Sequence, residues 1–381
     1  MCYRRSSLIR PLKFQSSPDC VGAVLQRKCF RVTKRKSFFR SKAVAAIFAL
    51  ISLLVGHACL PKPLSEGRGG VNITVYGFSI MKEPLERSIY PAFIAKAKAE
   101  HNIDIHFTSS FAGSETITNQ ILQGVKAQIA ILSIERDAQR LKQAGFVTSD
   151  WHNLPQKGIV NKTPFVILVR KGNPKGIHDF ADLARPGIKL IHPDPISSGG
   201  AQWSLLAMYG SELVKSEKQT GGADSSRALQ TLQAIWANVI STPASAREAR
   251  TTFELGNGDA LVTYELDALL MKQANAKADA EIVIPESTIF SEHPAVVIDR
   301  NVSAVDRPVI DAFMQYLWSD EAQRAFVKSN FRSSISDALS LENKELATIK
   351  YPFTVDYFGG WDKAYPDVIE GIFRDQVQKR K

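Results

Sequence analysis

Ile188-Lys-Leu-Ile191, then His192-Pro-Asp-Pro-Ile-Ser197-Ser198-Gly199-Gly200, then Ala201-Gln-Trp-Ser-Leu-Leu-Ala-Met-Tyr-Gly-Ser-Glu-Leu213, is the stretch that decides the fold. A short apolar run ends at a Pro-rich breaker. Two hydroxyl residues and two glycines follow, and then a helical pattern starts. This strand, tight turn and helix start is one βα unit. The first turn of a helix leaves up to four N–H donors without intrahelical partners and carries about half a positive charge. Glycine lets a ligand approach that main chain closely. The segment therefore reads as an anion-binding turn, with an ordinary Ser cap as the plainer alternative.

The same alternation extends in both directions. Strands are predicted at Ile73–Phe78, Ile103–Phe107, Ile129–Leu132, Phe165–Val169, Ala260–Thr263, Glu281–Ile284 and Ala295–Ile298. Between them run helical stripes, among them Leu85/Ile89/Phe93, Ile117/Ile121/Val125, Ser225–Trp236 and Ala246–Leu255. Further helices are expected near Ala304–Trp318 and Glu321–Lys328. Such alternation predicts an α/β protein whose sheets carry helices on both faces. Open sheets of this kind bind ligands at the carboxyl ends of their strands.

At 381 residues the chain has room for two domains of ordinary size, and 44% hydrophobic residues suit a packed core. The net charge of +10 is local. Residues 1–42 hold twelve Lys/Arg against Asp19 alone, so the remainder carries 36 basic and 37 acidic residues. The near-neutral body gives no electrostatic reason to expect nucleic-acid binding. The basic leader runs into the apolar segment Ala43–Val55 and the small residues Gly56 and Ala58. That order is the order of a secretory signal over residues 1–58, with 1–31 surplus to it and Val32 an alternative start. Cleavage before Cys59 would release an exported protein, and Cys59 is also where a lipid anchor would attach. Residues 59–70 read as a flexible tether. All four cysteines (Cys2, Cys20, Cys29 and Cys59) precede the body, which is expected to have neither disulfide nor thiolate metal site.

Three other loops at strand ends carry candidate chemistry. Gly113-Ser114-Glu115-Thr116 opens a helix, with Ser114 as cap or ligand donor. Glu115 either answers the helix dipole or stands beside the ligand. Ser245-Ala246-Arg247 opens another helix, with Arg247 in an ion pair or on the ligand. Tyr264 ends a strand, as a packed aromatic or as an O–H donor. The histidines have no metal spacing. No Ser/His/Asp set, Walker A loop or dinucleotide fingerprint is legible, so neither an enzyme nor a cofactor is called for.

With these residues in place, the chain resembles the periplasmic sulfate-binding proteins of ABC importers and their thiosulfate-binding relatives, from about Ile73 to Trp361. Pro195-Ile-Ser-Ser-Gly-Gly-Ala-Gln-Trp203 resembles that family's Pro-x-Ser-Ser-Gly-Gly-Ala-Arg-Trp. Val169-Arg-Lys-Gly-Asn-Pro-Lys175 with Ile177-His-Asp179, and Phe358-Gly-Gly-Trp361, match two further signatures. The resemblance implies a type II solute-binding fold of two lobes hinged by crossover strands. It places one lobe at 71–160 plus about 264–320, and the other at about 161–263 plus 321–381. It implies a periplasmic monomer that closes on one dehydrated oxyanion and docks on a membrane permease.

The implied donors are the Ser198 hydroxyl, the Gly199 and Gly200 amides, the Ser114 hydroxyl or amide, the Ala246 amide and an amide near Met81. Tyr264 stands where sulfate binders have Trp and thiosulfate-type relatives have Phe. Glu115-Thr116 replaces a Gly/Ser-Lys pair. A carboxylate there would repel a dianion or accept the proton of an oxyanion such as phosphate, so other tetrahedral oxyanions (phosphate, molybdate) and an anion-sensing module are the alternatives. Sulfate carries no proton near neutral pH, and a pocket of donors alone would select it.

Overall fold

The computed structural model describes residues 70–274 and 280–380. The leader and Cys59 lie outside the described residues, as does all of the tether but Gly70.

The first sheet is built from β1 (Val71–Phe78), β2 (Ile105–Ala112) and β3 (Ile129–Ile131), with β1 central and parallel to both neighbours. β4 (Ile159–Arg170) leaves it for a second sheet with β5 (Leu190–Ile191), β6 (Val239–Ser241) and β7 (Ala260–Tyr264). There β5 is parallel to β6 and β7, while β7 is antiparallel to β4. β8 (Ala280–Val283) also pairs antiparallel with β4. β9 (Ser287–Val297) brings the chain back. Its Ala295–Val297 end pairs with β3 in the first sheet, and its middle pairs with Ile159–Pro164 of β4. The strand order is therefore β2-β1-β3-β9-β4-β7-β5-β6, with the pairing of β9 and β4 joining the two sheets. This is a two-lobed mixed α/β fold hinged on a pair of crossover strands.

Helices α1 (Tyr90–His101), α2 (Ser114–Leu122) and α3 (Glu135–Gln143) belong to the first round. α4 (Gly199–Thr220), α5 (Ser225–Ala237), α6 (Ala246–Glu254) and α7 (Glu265–Ala274) belong to the second. Strand alternation explains why both faces of a sheet need cover. In β4, Phe165, Ile167 and Val169 face the main core, while Val166 and Leu168 join Phe253, Leu261 and Met271 on the other side.

The return crossing lies elsewhere than expected. The sequence reading placed about 264–320 with the first lobe, but α7 and β8 stay with the second sheet, and the chain returns only along β9. The reason is that β9 runs for 11 residues, of which Ala295–Val297 alone look like a buried strand. Its polar part is buried because it bonds across the hinge. Ser291 Oγ donates to the Thr163 carbonyl at 2.7 Å, and Thr288 Oγ1 to that of Phe165 at 2.9 Å.

Two signature segments prove to be scaffold. Phe358 and Trp361 pack on α4, where Trp203 meets Trp361 edge-on at 4.6 Å and a Cβ on Gly210 would strike Phe353 and Phe358. Asn173 closes its turn by bonding the Ile177 N–H and carbonyl.

Candidate functional site

Three helix N-termini meet at one buried point. A Cβ on Gly113, just before α2, would lie 2.2 Å from the Ser197 carbonyl oxygen and 2.9 Å from that of Ala244. The loops leading into α2, α4 and α6 are thus in van der Waals contact. Ser114, Ser198, Gly199, Gly200, Ala246 and Tyr264 are all buried around that contact. The sequence-predicted set comes together from segments 150 residues apart.

The local chemistry decides which groups are free. Ser198 caps α4, its Oγ accepting from Ala201 N–H at 3.4 Å, and its own N–H is taken by the Asp194 carbonyl at 2.9 Å. The N–H groups of Gly199 and Gly200 lie in the first turn, where no intrahelical partner exists. The Ser198 hydroxyl hydrogen also remains available. Ser245 caps α6 by accepting from Glu248 N–H at 3.2 Å, which leaves the Ala246 amide at the helix start. Ser114 differs. Its hydroxyl donates to Asp137 Oδ2 at 2.6 Å and accepts from Ser133 N–H at 3.0 Å. Of the two Ser114 groups expected as donors, the hydroxyl is committed and the first-turn amide is free. Met81 sits in a short turn after β1 with its side chain fully buried. Its sulfur accepts from Asn161 Nδ2 at 3.6 Å, so the side chain faces the hinge.

The charges near the site are all paired. Glu115 turns towards α3, where it accepts from Arg136 at 2.9 Å, from Arg140, and from Gln202 Nε2 at 3.2 Å. The carboxylate expected to repel or accept beside the ligand is thus neutralised by two guanidiniums. Arg247 forms a two-armed ion pair with Glu83, Nη2 to Oε2 at 2.6 Å, with Asp267 3.6 Å from its Nε. Asp137 is fully buried. Desolvation, with Glu115 nearby, pushes its carboxyl up to about 7. Glu265 is held by Arg332 and the Ala347 N–H. Among the described residues no group of three or more His, Cys, Asp or Glu side chains could hold a metal ion.

Tyr264 stands against Gly200, where a Cβ would lie 2.7 Å from the phenol oxygen, and its ring packs on Phe165 at 4.5 Å. Burial raises its phenol, so the O–H stays protonated. Its partner is Ser133 Oγ at 2.8 Å. Ser133 is a neighbour of the candidate residues that the sequence analysis does not name. Its signal was its place at the carboxyl end of the third strand, but Leu132 and Ile134 around it gave no turn chemistry.

A buried cluster of uncharged donors between two hinged α/β halves is the arrangement of a solute-binding protein. A family model described as bacterial extracellular solute-binding protein matches residues 73–332. The chain belongs to that family. It is 31% identical over 351 residues, 91% of this chain and 97% of the relative, to the "Sulfate-binding protein" of Synechococcus elongatus. It is 29% identical over 345 residues, 88% of this chain and 95% of the relative, to the "Thiosulfate-binding protein" of Escherichia coli. Among solved structures it matches the sulfate-binding protein SubI from Mycobacterium tuberculosis. That match has a TM-score of 0.69 and 28% identity, and covers 78% of this chain and 99% of that one.

Proposed function

We propose that this protein captures sulfate or thiosulfate outside the cytoplasm and delivers it to the permease of an ABC-type importer, acting as a monomeric carrier with no catalytic step. One observation carries the reading: the loops that open α2, α4 and α6 touch at one buried point and leave first-turn amides without intrahelical partners, while Glu115, Asp137 and Arg247 are all bonded to other side chains. The Ser114, Gly199, Gly200 and Ala246 amides, with the Ser198 and Tyr264 hydroxyls, supply the donors. Hydrogen bonds to a charged group contribute about 1.5–3 kcal/mol each. Six of them exceed the roughly 8 kcal/mol that micromolar binding needs, before desolvation and closure are subtracted. The Met81 region offers a further main-chain donor from the first lobe. Among the described residues no helix is long and apolar enough to cross a membrane.

Titration calorimetry with sulfate, thiosulfate, phosphate and molybdate tests the assignment. Sulfate or thiosulfate is expected to bind at micromolar concentration or tighter. Ser198→Leu should abolish binding, because it removes a donor and fills the space in front of Gly199. Unchanged affinity in that variant, or no binding of any of these anions, overturns the reading.

A further inference from the structure

We propose that Ser133 and Tyr264 act as a reversible hydroxyl pair lining the anion site, and that this pair extends the ligand class from fully deprotonated sulfate to tetrahedral oxyanions carrying one proton, such as hydrogen phosphate and hydrogen arsenate. The proposal rests on the site reading above and deepens it.

The two oxygens lie 2.8 Å apart, and either can be the donor. The pair packs against the main chain that carries two of the proposed ligand amides. A Cβ on Gly199 would sit 2.9 Å from Ser133 Oγ, and one on Gly200 2.7 Å from the Tyr264 oxygen. Both residues are held from behind. Ser133 donates its N–H to Ser114 Oγ and accepts from Trp203 Nε1 at 2.6 Å, while the Tyr264 ring lies between Phe165 and Phe78. Only the two O–H rotors are free to turn.

Two hydroxyls hold two hydrogens, and one of these fills the gap between the oxygens. When Ser133 donates to Tyr264, the phenol hydrogen faces the ligand. That is the arrangement for sulfate, whose oxygens only accept. When Tyr264 donates to Ser133, lone pairs of the phenol oxygen face the ligand and accept its O–H, and the Ser133 hydrogen is left for a second ligand oxygen. No proton changes owner and no protein group ionises. An indole N–H at the Tyr264 position would be a donor only and could not reverse. A donor-only site leaves the hydrogen of a protonated ligand facing another hydrogen, which costs a buried polar group its partner.

The neighbouring carboxylates do not supply the acceptor. Glu115 is taken by Arg136, Arg140 and Gln202, and Asp137 by Ser114 and Arg140. His293, with ring centroids 5.8 Å from Tyr264, bonds Asn161 through Nδ1.

The test is calorimetry near neutral pH with sulfate, selenate, phosphate and arsenate on the wild-type protein, Ser133→Ala, Ser133→Thr and the double variant Ser133→Ala/Tyr264→Trp. The wild-type protein is expected to bind phosphate and arsenate as well as sulfate and selenate. Ser133→Ala and the double variant should weaken phosphate relative to sulfate by about tenfold or more, whereas Ser133→Thr, which keeps the hydroxyl, should keep the ratio. Because both anions are measured on one preparation, the ratio does not depend on how much of a variant is folded. Wild-type protein that binds sulfate but gives no heat with phosphate overturns this proposal alone, as does an unmoved ratio in Ser133→Ala. Wild-type protein that binds none of the four anions overturns the site reading with it.

Discussion

His192 shows how a single side chain ties the ligand turn to the core. It ends β5 directly before the Pro193-Asp194-Pro195 breaker and is fully buried. Its Nδ1–H donates to the Pro193 carbonyl at 2.7 Å, and Nε2 lies 2.6 Å from Ser204 Oγ of α4, whose hydroxyl also reaches the Ala201 carbonyl at 2.9 Å. Burial opposes protonation of the imidazole. Desolvation pushes it down to about 4 from an ordinary value of 6.5. The unfolded chain binds a proton below that ordinary value, whereas the folded protein resists until about 4. Stability from this group is therefore complete above the unfolded value and is lost as pH falls through that window. The difference is worth on the order of 3 kcal/mol. The raised carboxyls of Asp137, Glu265 and Asp267 act in the opposite direction and buried His293 in the same one, so the wild-type profile mixes several groups. His192→Gln isolates the share of His192. Urea denaturation at about pH 7 and about pH 4 should show a smaller acid-dependent loss in the variant than in the wild-type protein. Equal losses would mean that His192 is not held neutral.

Among the elements, the helix starts were the legible part and the crossing strands were not. Ser198 could be read as a cap because capping is local: a hydroxyl residue, then a helical pattern, with the donors supplied within one turn. Ser114, read as a cap by the same rule, is instead the first helical residue behind Gly113, and its hydroxyl bonds Asp137 of α3. Ser133 and the polar half of β9 could not be read locally, since what buries them is a partner more than a hundred residues away, such as Tyr264 for Ser133 and Thr163 for Ser291. Glu115 was read to the right element, but its direction depends on two arginines of α3 that no spacing in α2 announces. Gly113 makes the convergence of elements testable. Its φ of −61° and ψ of 144° suit any residue, so alanine brings no backbone strain. The added Cβ would nonetheless meet two main-chain carbonyl oxygens, which cannot rotate away as a side chain does. Gly113→Ala should fold with an unchanged Tm in the absence of ligand, because an opened cleft relieves the clash. Its anion affinity should fall by about tenfold or more, the cost of overpacking a closed contact. Wild-type affinity would show that the loops before α2, α4 and α6 do not meet in the liganded form.

At the scale of the whole molecule, β4 and β9 supply the hinge, and closure is held by contacts on both sides of the site. On one side Gln202 of α4 reaches Glu115 of α2, and the Arg136 guanidinium stacks on Tyr365 with 3.5 Å to the ring centroid. On the other, Arg247 of α6 grips Glu83, which follows β1 of the first sheet. This second clasp can be cut cleanly. In Glu83→Gln, Arg247 keeps Asp267 beside it, so no buried charge is orphaned and the unliganded fold should be unaffected. The pair's side chains are 22% and 18% exposed, between a surface pair worth under about 1 kcal/mol and a buried one whose breaking costs about 3–5. A loss of about 1–2 kcal/mol, or roughly 5- to 30-fold in affinity, is the expected size. Since the clasp forms only after the lobes meet, the loss should appear in the release rate, with association nearly unchanged. Stopped-flow measurement of sulfate association and release on the wild-type and Glu83→Gln proteins checks this. A variant that releases the anion at the wild-type rate would show that the hinge and the ligand hold the closed form without help from Arg247.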